Sequence, residues 1–218
     1  MNAAEVAERV AIIRQRIVDA GGVNVELVAV TKTFDETSWR AARDAGVDGI
    51  GENYAQELAA KAQQVPADLR PTVHFIGQLQ SNKVKIISEI VDVWQSVDRI
   101  SIIDEILRRT PDKPPRMFVQ VNTTKEAGKG GCEPETVAAV VNHAVRNGAA
   151  VEGLMTVGPT DGDPTQTRAA FRMLRSLAHD LGLRGLSMGM TNDLEIAVEE
   201  GSTLVRVGSA IFGTRTGA

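Results

Sequence analysis

The sequence predicts an α/β fold, a single (β/α)8 TIM-type barrel with an additional N-terminal helix, and three observations predict it. Short apolar runs of strand length alternate with helix-patterned stretches along nearly the whole chain. The repeat from the first run to the last is roughly 25 residues, about what a compact βα unit needs. No Ser-rich or Pro-rich linker divides the 218 residues, which are therefore read as one domain over 1–218. Periodicity cannot count closure, so an open doubly wound sheet is the alternative.

The first segment places Val6, Val10, Ile13 and Ile17 at helical spacing and stops at Gly21-Gly22, an amphipathic helix ahead of the repeat. The strands that follow are "ELVAVTK", "VDGIGEN", "TVHFIGQL", "VDVWQSV", "RMFVQVN", "VEGLMTV", "GLSMGM" and "TLVRVGSA". Helical patterning fills 36–45, 53–64, 81–89, 99–108, 134–147, 165–181 and 192–200 between them. "TPDKPP" at 110–115 fits a short connection into the fifth strand.

Composition narrows the function classes. Hydrophobic residues at 43% and charged residues at 24% suit a soluble globular protein, and a formal charge of -4 argues against a dedicated nucleic-acid surface. The lone cysteine, Cys132, excludes an intramolecular disulfide and suits a reducing compartment. No apolar run has the length of a membrane span, and the N-terminal segment carries acids unlike those of a signal peptide, so a cytoplasmic location is expected.

In such a barrel the loops after the strands converge on one mouth, where chemistry sits. Here the strand ends read Lys32, Glu52 with Asn53, His74 followed by Gly77, Ser96, Asn122, Thr156, Ser187, and Arg206 with Gly208. "LSMGMT" and "VRVGSAIFG" put Gly and Ser after strands seven and eight, where barrels commonly hold phosphate; tight turns alone would also explain the glycines. A phosphate at one side of the mouth and a lysine on strand one suggest a phosphorylated aldehyde joined to an amine. Desolvation at a strand end lowers a lysine pKa in the direction that imine formation requires. A lysine snorkelling from the rim, or paired to Glu52, is the alternative.

Other motifs carry less. "EAGKGGC" lacks the leading glycine and the hydroxyl of a P-loop, and "GIGENY" holds only part of a dinucleotide fingerprint. His74, His143 and His179 lack zinc-site spacing, so no metal is expected, and Cys132 has no base placed near it.

"AVTKT", "GENYAQEL", "HFIGQLQSNK", "VNTTKEAGKGG", "GLMTVGP" and "LSMGMTNDLEIAVEEGSTLVRVGSAIFG" resemble the pyridoxal phosphate homeostasis protein family, from about residue 26 to 213. The resemblance implies a barrel similar to the N-terminal domain of alanine racemase, of fold-type III, carrying pyridoxal 5'-phosphate as an internal aldimine on Lys32. It further implies phosphate held by Ser187 and by Gly208 with Ser209, Arg206 facing the pyridine nitrogen, Asn53 and Met155 lining the ring, and His74 nearby. Ser209 stands where many relatives have threonine, and Val73 and Gln78 stand where tryptophan and histidine are common.

The implied role is a binding protein for intracellular vitamin B6 supply, with no catalytic residue, whose partners are pyridoxal phosphate and the apo-enzymes that take it up. No nucleic acid or membrane partner is expected. The racemase places a second base and a dimer contact in a C-terminal domain, and this chain ends five residues after Gly213. A monomer with an open mouth is therefore expected. A small pyridoxal-phosphate enzyme, a weak racemase or transaminase using Lys32 as sole base, is the alternative.

Overall fold

The computed structural model describes residues 2–213. Strands β1 (Glu26–Val30), β2 (Gly49–Glu52), β3 (Val73–Phe75), β4 (Val93–Val97), β5 (Arg116–Gln120), β6 (Ala150–Met155), β7 (Gly185–Ser187) and β8 (Leu204–Val207) pair in chain order as one closed parallel barrel. The β1–β8 ladder, from Glu26 opposite Leu204 to Ala29 opposite Val207, rules out the open sheet. Helices α2 (Thr37–Asp44), α3 (Ala55–Gln64), α4 (Ser81–Ile87), α5 (Ile100–Arg109), α6 (Val137–Arg146), α7 (Pro164–Asp180) and α8 (Leu194–Glu199) connect the strands.

Two further helices complete the ring. α1 (Ala3–Asp19) starts at Asn2, whose side chain accepts the Ala4 N–H, and buries Val6, Val10, Ile13 and Ile17, the stripe its spacing predicts. After β8 comes a four-residue helix, α9 (Ser209–Phe212), and α1 packs against α2, α8 and α9 over the seam where the barrel closes. The apolar run "VRVGSAIFG" hid α9 in the sequence, because a short buried helix and a strand end have the same composition.

Side-chain alternation divides the core in two. Leu27, Ala29, Phe75, Trp94, Leu186, Val205 and Val207 face outward into the layer beneath the helices. Val28, Val93, Phe118, Met155 and Leu204, from five different strands, touch one another, which places them inside the barrel. β2 contributes Gly49 and Gly51 to that interior: a Cβ on Gly49 would lie 2.8 Å from the His74 ring, and one on Gly51 3.1 Å from Ile76. The missing side chains of β2 make room for a histidine.

The observed strands are shorter than the runs that predicted them. β3 ends at Phe75 rather than Leu79, and β1 at Val30 rather than Lys32. Past β3 the chain still carries Ile76 and the buried Leu79, which extend the apolar run beyond the strand, whereas past β1 it turns polar at Thr31 and Lys32.

Candidate functional site

Lys32 lies two residues beyond β1, half-buried, in the wall of a cavity of about 630 Å³, within the roughly 300–1,000 Å³ typical of small-molecule sites. The β1–β8 pairing brings Val30 and Lys32 beside Arg206, Gly208 and Ser209, which share that wall. Gly208 makes this approach close: a Cβ there would sit 3.3 Å from the Val30 carbonyl oxygen, a tight contact. The loop after β7 supplies Met190, Thr191, Asn192 and Asp193, and the loop after β6 supplies Pro159, Thr160 and Gly162.

Two hydroxyls face each other at one side of the cavity: Thr191 Oγ1 and Ser209 Oγ are 3.2 Å apart. Asp193 Oδ1 accepts the Met190 N–H and shapes the loop that carries Thr191. Gly189, with φ +97°, opens that loop, and a Cβ there would lie 2.5 Å from the Ala197 side chain. Hydroxyls beside a glycine-lined backbone suit a phosphate.

Arg206 is buried in β8 and reaches the cavity from below. Its Nη2 donates to the Thr156 carbonyl at 2.8 Å and its Nη1 to Ser187 Oγ. Ser187 Oγ donates to Gln95 Oε1 at 2.6 Å, and Gln95 Nε2 lies 2.7 Å from His74 Nδ1. Four strands thus contribute one polar relay across the barrel interior. Burial, with Arg116 and Arg206 adding like charge, pushes the His74 ring down to about 4, so it is neutral at pH 7 and accepts from Gln95 at Nδ1. Burial also lowers the Arg206 guanidinium to about 10, which leaves it protonated at neutral pH.

The site residues expected from sequence therefore separate into three groups. Lys32, Arg206, Gly208 and Ser209 meet in the cavity. Ser187, His74 and Met155 lie in the barrel interior and are not among the residues lining it: the Ser187 hydroxyl is engaged by Arg206 and Gln95, and Met155 belongs to the interior apolar cluster. Thr191, four residues after Ser187, is the hydroxyl of this segment that lines the cavity, beside Ser209. Asn53 stands at the end of β2, also outside the lining, with its Oδ1 buried and without a hydrogen-bond partner among the described residues. Thr191 and Asn192 went unrecognised inside "GMTNDLE", although a hydroxyl two residues after a glycine was the available signal.

Glu52, the alternative partner for Lys32, has Lys61 as its ion-pair partner. Glu52 lies wholly buried and its Oε1 accepts from Lys61 Nζ at 2.7 Å. Cys132 is buried, and burial pushes its thiol up to about 11, far from a thiolate. His143 pairs with Asp104 on the outside of the barrel, and His179 is exposed on α7. Among the described residues no helix is long and apolar enough to cross a membrane.

Residues 1–216 match the family model described as alanine racemase, N-terminal domain. The chain is 40% identical over 222 residues to the pyridoxal phosphate homeostasis protein of Pseudomonas aeruginosa, covering 96% of each. The solved structure of PipY from Synechococcus elongatus, with PLP bound, superposes with a TM-score of 0.83 at 31% identity, over 95% of this chain and 100% of that one. Alanine racemase from Clostridium difficile, 10% identical, shares the fold alone: TM-score 0.77, over 96% of this chain and 60% of the racemase. With a closed barrel, a lysine after its first strand and matches of this extent, the chain belongs to the pyridoxal phosphate homeostasis protein family, whose fold is that of the alanine racemase N-terminal domain.

Proposed function

We propose that this protein binds pyridoxal 5'-phosphate reversibly as an imine of Lys32 and serves in its intracellular supply rather than as an enzyme. The observation that carries the reading is the meeting, in one cavity, of an amine, a buried guanidinium and a pair of hydroxyls: Lys32, Arg206, and Thr191 with Ser209. Each matches one part of the ligand, namely the aldehyde, the ring nitrogen and the phosphate. Lys32 Nζ forms the C=N bond, its two hydrogens leaving with the aldehyde oxygen as water, and hydrolysis returns both partners. When bound, the ring supplies an electron sink.

Arg206 weakens that sink. A guanidinium that keeps its proton donates to the ring nitrogen and leaves it unprotonated. Among the described residues lining the cavity the ionisable ones are Lys32, Asp193 and Arg206, and Asp193 already accepts the Met190 N–H. This arrangement suits an exchangeable holder better than a two-base racemase. A cytoplasmic monomer that delivers the ligand to apo-enzymes completes the proposal.

The test is the visible spectrum of the loaded protein. A band lost on borohydride reduction, with the added mass on Lys32, and absent from Lys32→Ala, supports the assignment; the same band in Lys32→Ala refutes it. Solvent deuterium incorporation into D- or L-alanine at about 1 per second or faster would show an ordinary enzyme and overturn the supply role.

A further inference from the structure

Lys32 sits on a turn that its own sequence does not favour. Phe34 N–H donates to the Thr31 carbonyl at 3.1 Å, so Lys32 and Thr33 are the two corners. Thr33 has φ +68°, a left-handed conformation that a β-branched residue rarely adopts. Such a conformation persists only where its surroundings over-determine it.

Three side chains over-determine this one. Lys61 Nζ donates to the Thr31 carbonyl at 2.8 Å. Glu52 Oε1 accepts from Thr31 Oγ1 at 2.7 Å, from Lys61 Nζ at 2.7 Å and from Trp39 Nε1 at 3.0 Å. Glu57 Oε1 accepts the Thr33 N–H at 2.6 Å and pairs with Lys61 Nζ at 2.6 Å. Glu57 and Lys61 stand one turn apart on α3, so a single helix face reaches both neighbours of Lys32.

Stability alone is a poor reason for this cluster. Side-chain exposure is 4% at Lys61 and 0% at Glu52, and apolar packing of the same volume is often as stable as a buried ion pair. Among the described residues Glu52 Oε2 is also buried without a hydrogen-bond partner, a cost that well-packed cores avoid. What the cluster holds in common is the main chain on both sides of Lys32.

We infer that Lys61, Glu52 and Glu57 are positioning residues for Lys32: they hold the strained Thr31–Phe34 turn that presents its amine to the cavity. The inference rests on Lys32 forming the imine. Its consequence is selective, because formation of the C=N bond depends on the cluster while retention of ring and phosphate does not.

Glu57 is the place to test it, since its side chain is 24% exposed and lies at the edge of the core. Dissociation constants are measured for pyridoxal 5'-phosphate and for pyridoxine 5'-phosphate, which has the same ring and phosphate but no aldehyde. Glu57→Ala is expected to weaken the aldehyde ligand about 10-fold, the scale seen when a partner orienting a binding group is lost, and to leave the alcohol within about twofold. Glu57→Gln, which keeps an acceptor for the Thr33 N–H, should behave as the unaltered protein. Lys61→Met, checked by its near-ultraviolet spectrum for an intact fold, should shift the ratio in the same direction. In ligand-free Glu57→Ala, hydrogen exchange at the Thr33 amide should rise. Equal losses for both ligands, or unchanged affinity for the aldehyde despite faster exchange, overturn the positioning role. An unaltered protein that gives no borohydride-fixed adduct at Lys32 fails the imine reading itself, before any variant is compared.

Discussion

The hydroxyls of Thr191 and Ser209 stand 3.2 Å apart, one on the loop after β7 and the other at the start of α9. Neither element completes the pair alone. Thr191→Val and Ser209→Ala are each expected to weaken pyridoxal 5'-phosphate about 10-fold, or about 1.4 kcal/mol, and to leave unphosphorylated pyridoxal unchanged by titration calorimetry. Ser187→Ala should do the reverse. It leaves Arg206 Nη1 and Gln95 Oε1 without their partner inside the barrel, costing about 1–3 kcal/mol of stability with the preference for phosphate retained. A phosphate-specific loss in Ser187→Ala would restore Ser187 to the cup.

His74 predicts a pH dependence whose sign follows from burial. Its folded value, about 4, lies below the ordinary 6.5, so the unfolded chain takes up the proton first as pH falls. The stability tied to a neutral ring is complete above about 6.5, declines through the interval down to 4, and then levels off. The full decline is about 3 kcal/mol. Urea unfolding across that range should show His74→Gln with a shallower slope than the unaltered protein, by about one proton. Matching slopes would mean that the histidine does not titrate as its surroundings require.

Gly77 is held by contact rather than by its dihedral angles. A Cβ on it would lie 1.9 Å from the Asn53 carbonyl oxygen and 2.7 Å from the Asn53 Cα, both main-chain atoms with no freedom to rotate away. The Gly77 carbonyl also accepts from Ser96 Oγ. Gly77→Ala is therefore expected to push the ends of β2 and β3 apart at a cost of about 1–3 kcal/mol. Differential scanning calorimetry tests this, and an unchanged melting temperature would show that the two loops separate freely.

Much of the architecture was legible because each βα unit repeats the same local physics. Apolar runs of strand length, glycines that end helices, and the Val6, Val10, Ile13, Ile17 stripe all act over a few residues. The strand ends were less legible. Side chains alternate from face to face, so a boundary moved by one residue exchanges interior for exterior, and a mouth residue differs from one inside the barrel only by where the strand stops. Ser187 ends β7 as its place in the apolar run suggests, and its hydroxyl and the His74 ring share the polar relay inside the barrel, a contact between strands that no local pattern records.

Local pattern along the chain is enough to set the order of the elements, the lysine after the first strand, and the glycine and serine after the last. The tertiary structure decided closure, which sets Lys32 beside Arg206 and Ser209 across the β1–β8 seam. It also decided the ion-pair partner of Glu52, which is Lys61. That choice belongs to three dimensions, because the reach of α3 back over the turn at Thr31 and Thr33 depends on packing between elements and leaves no periodic trace in the chain.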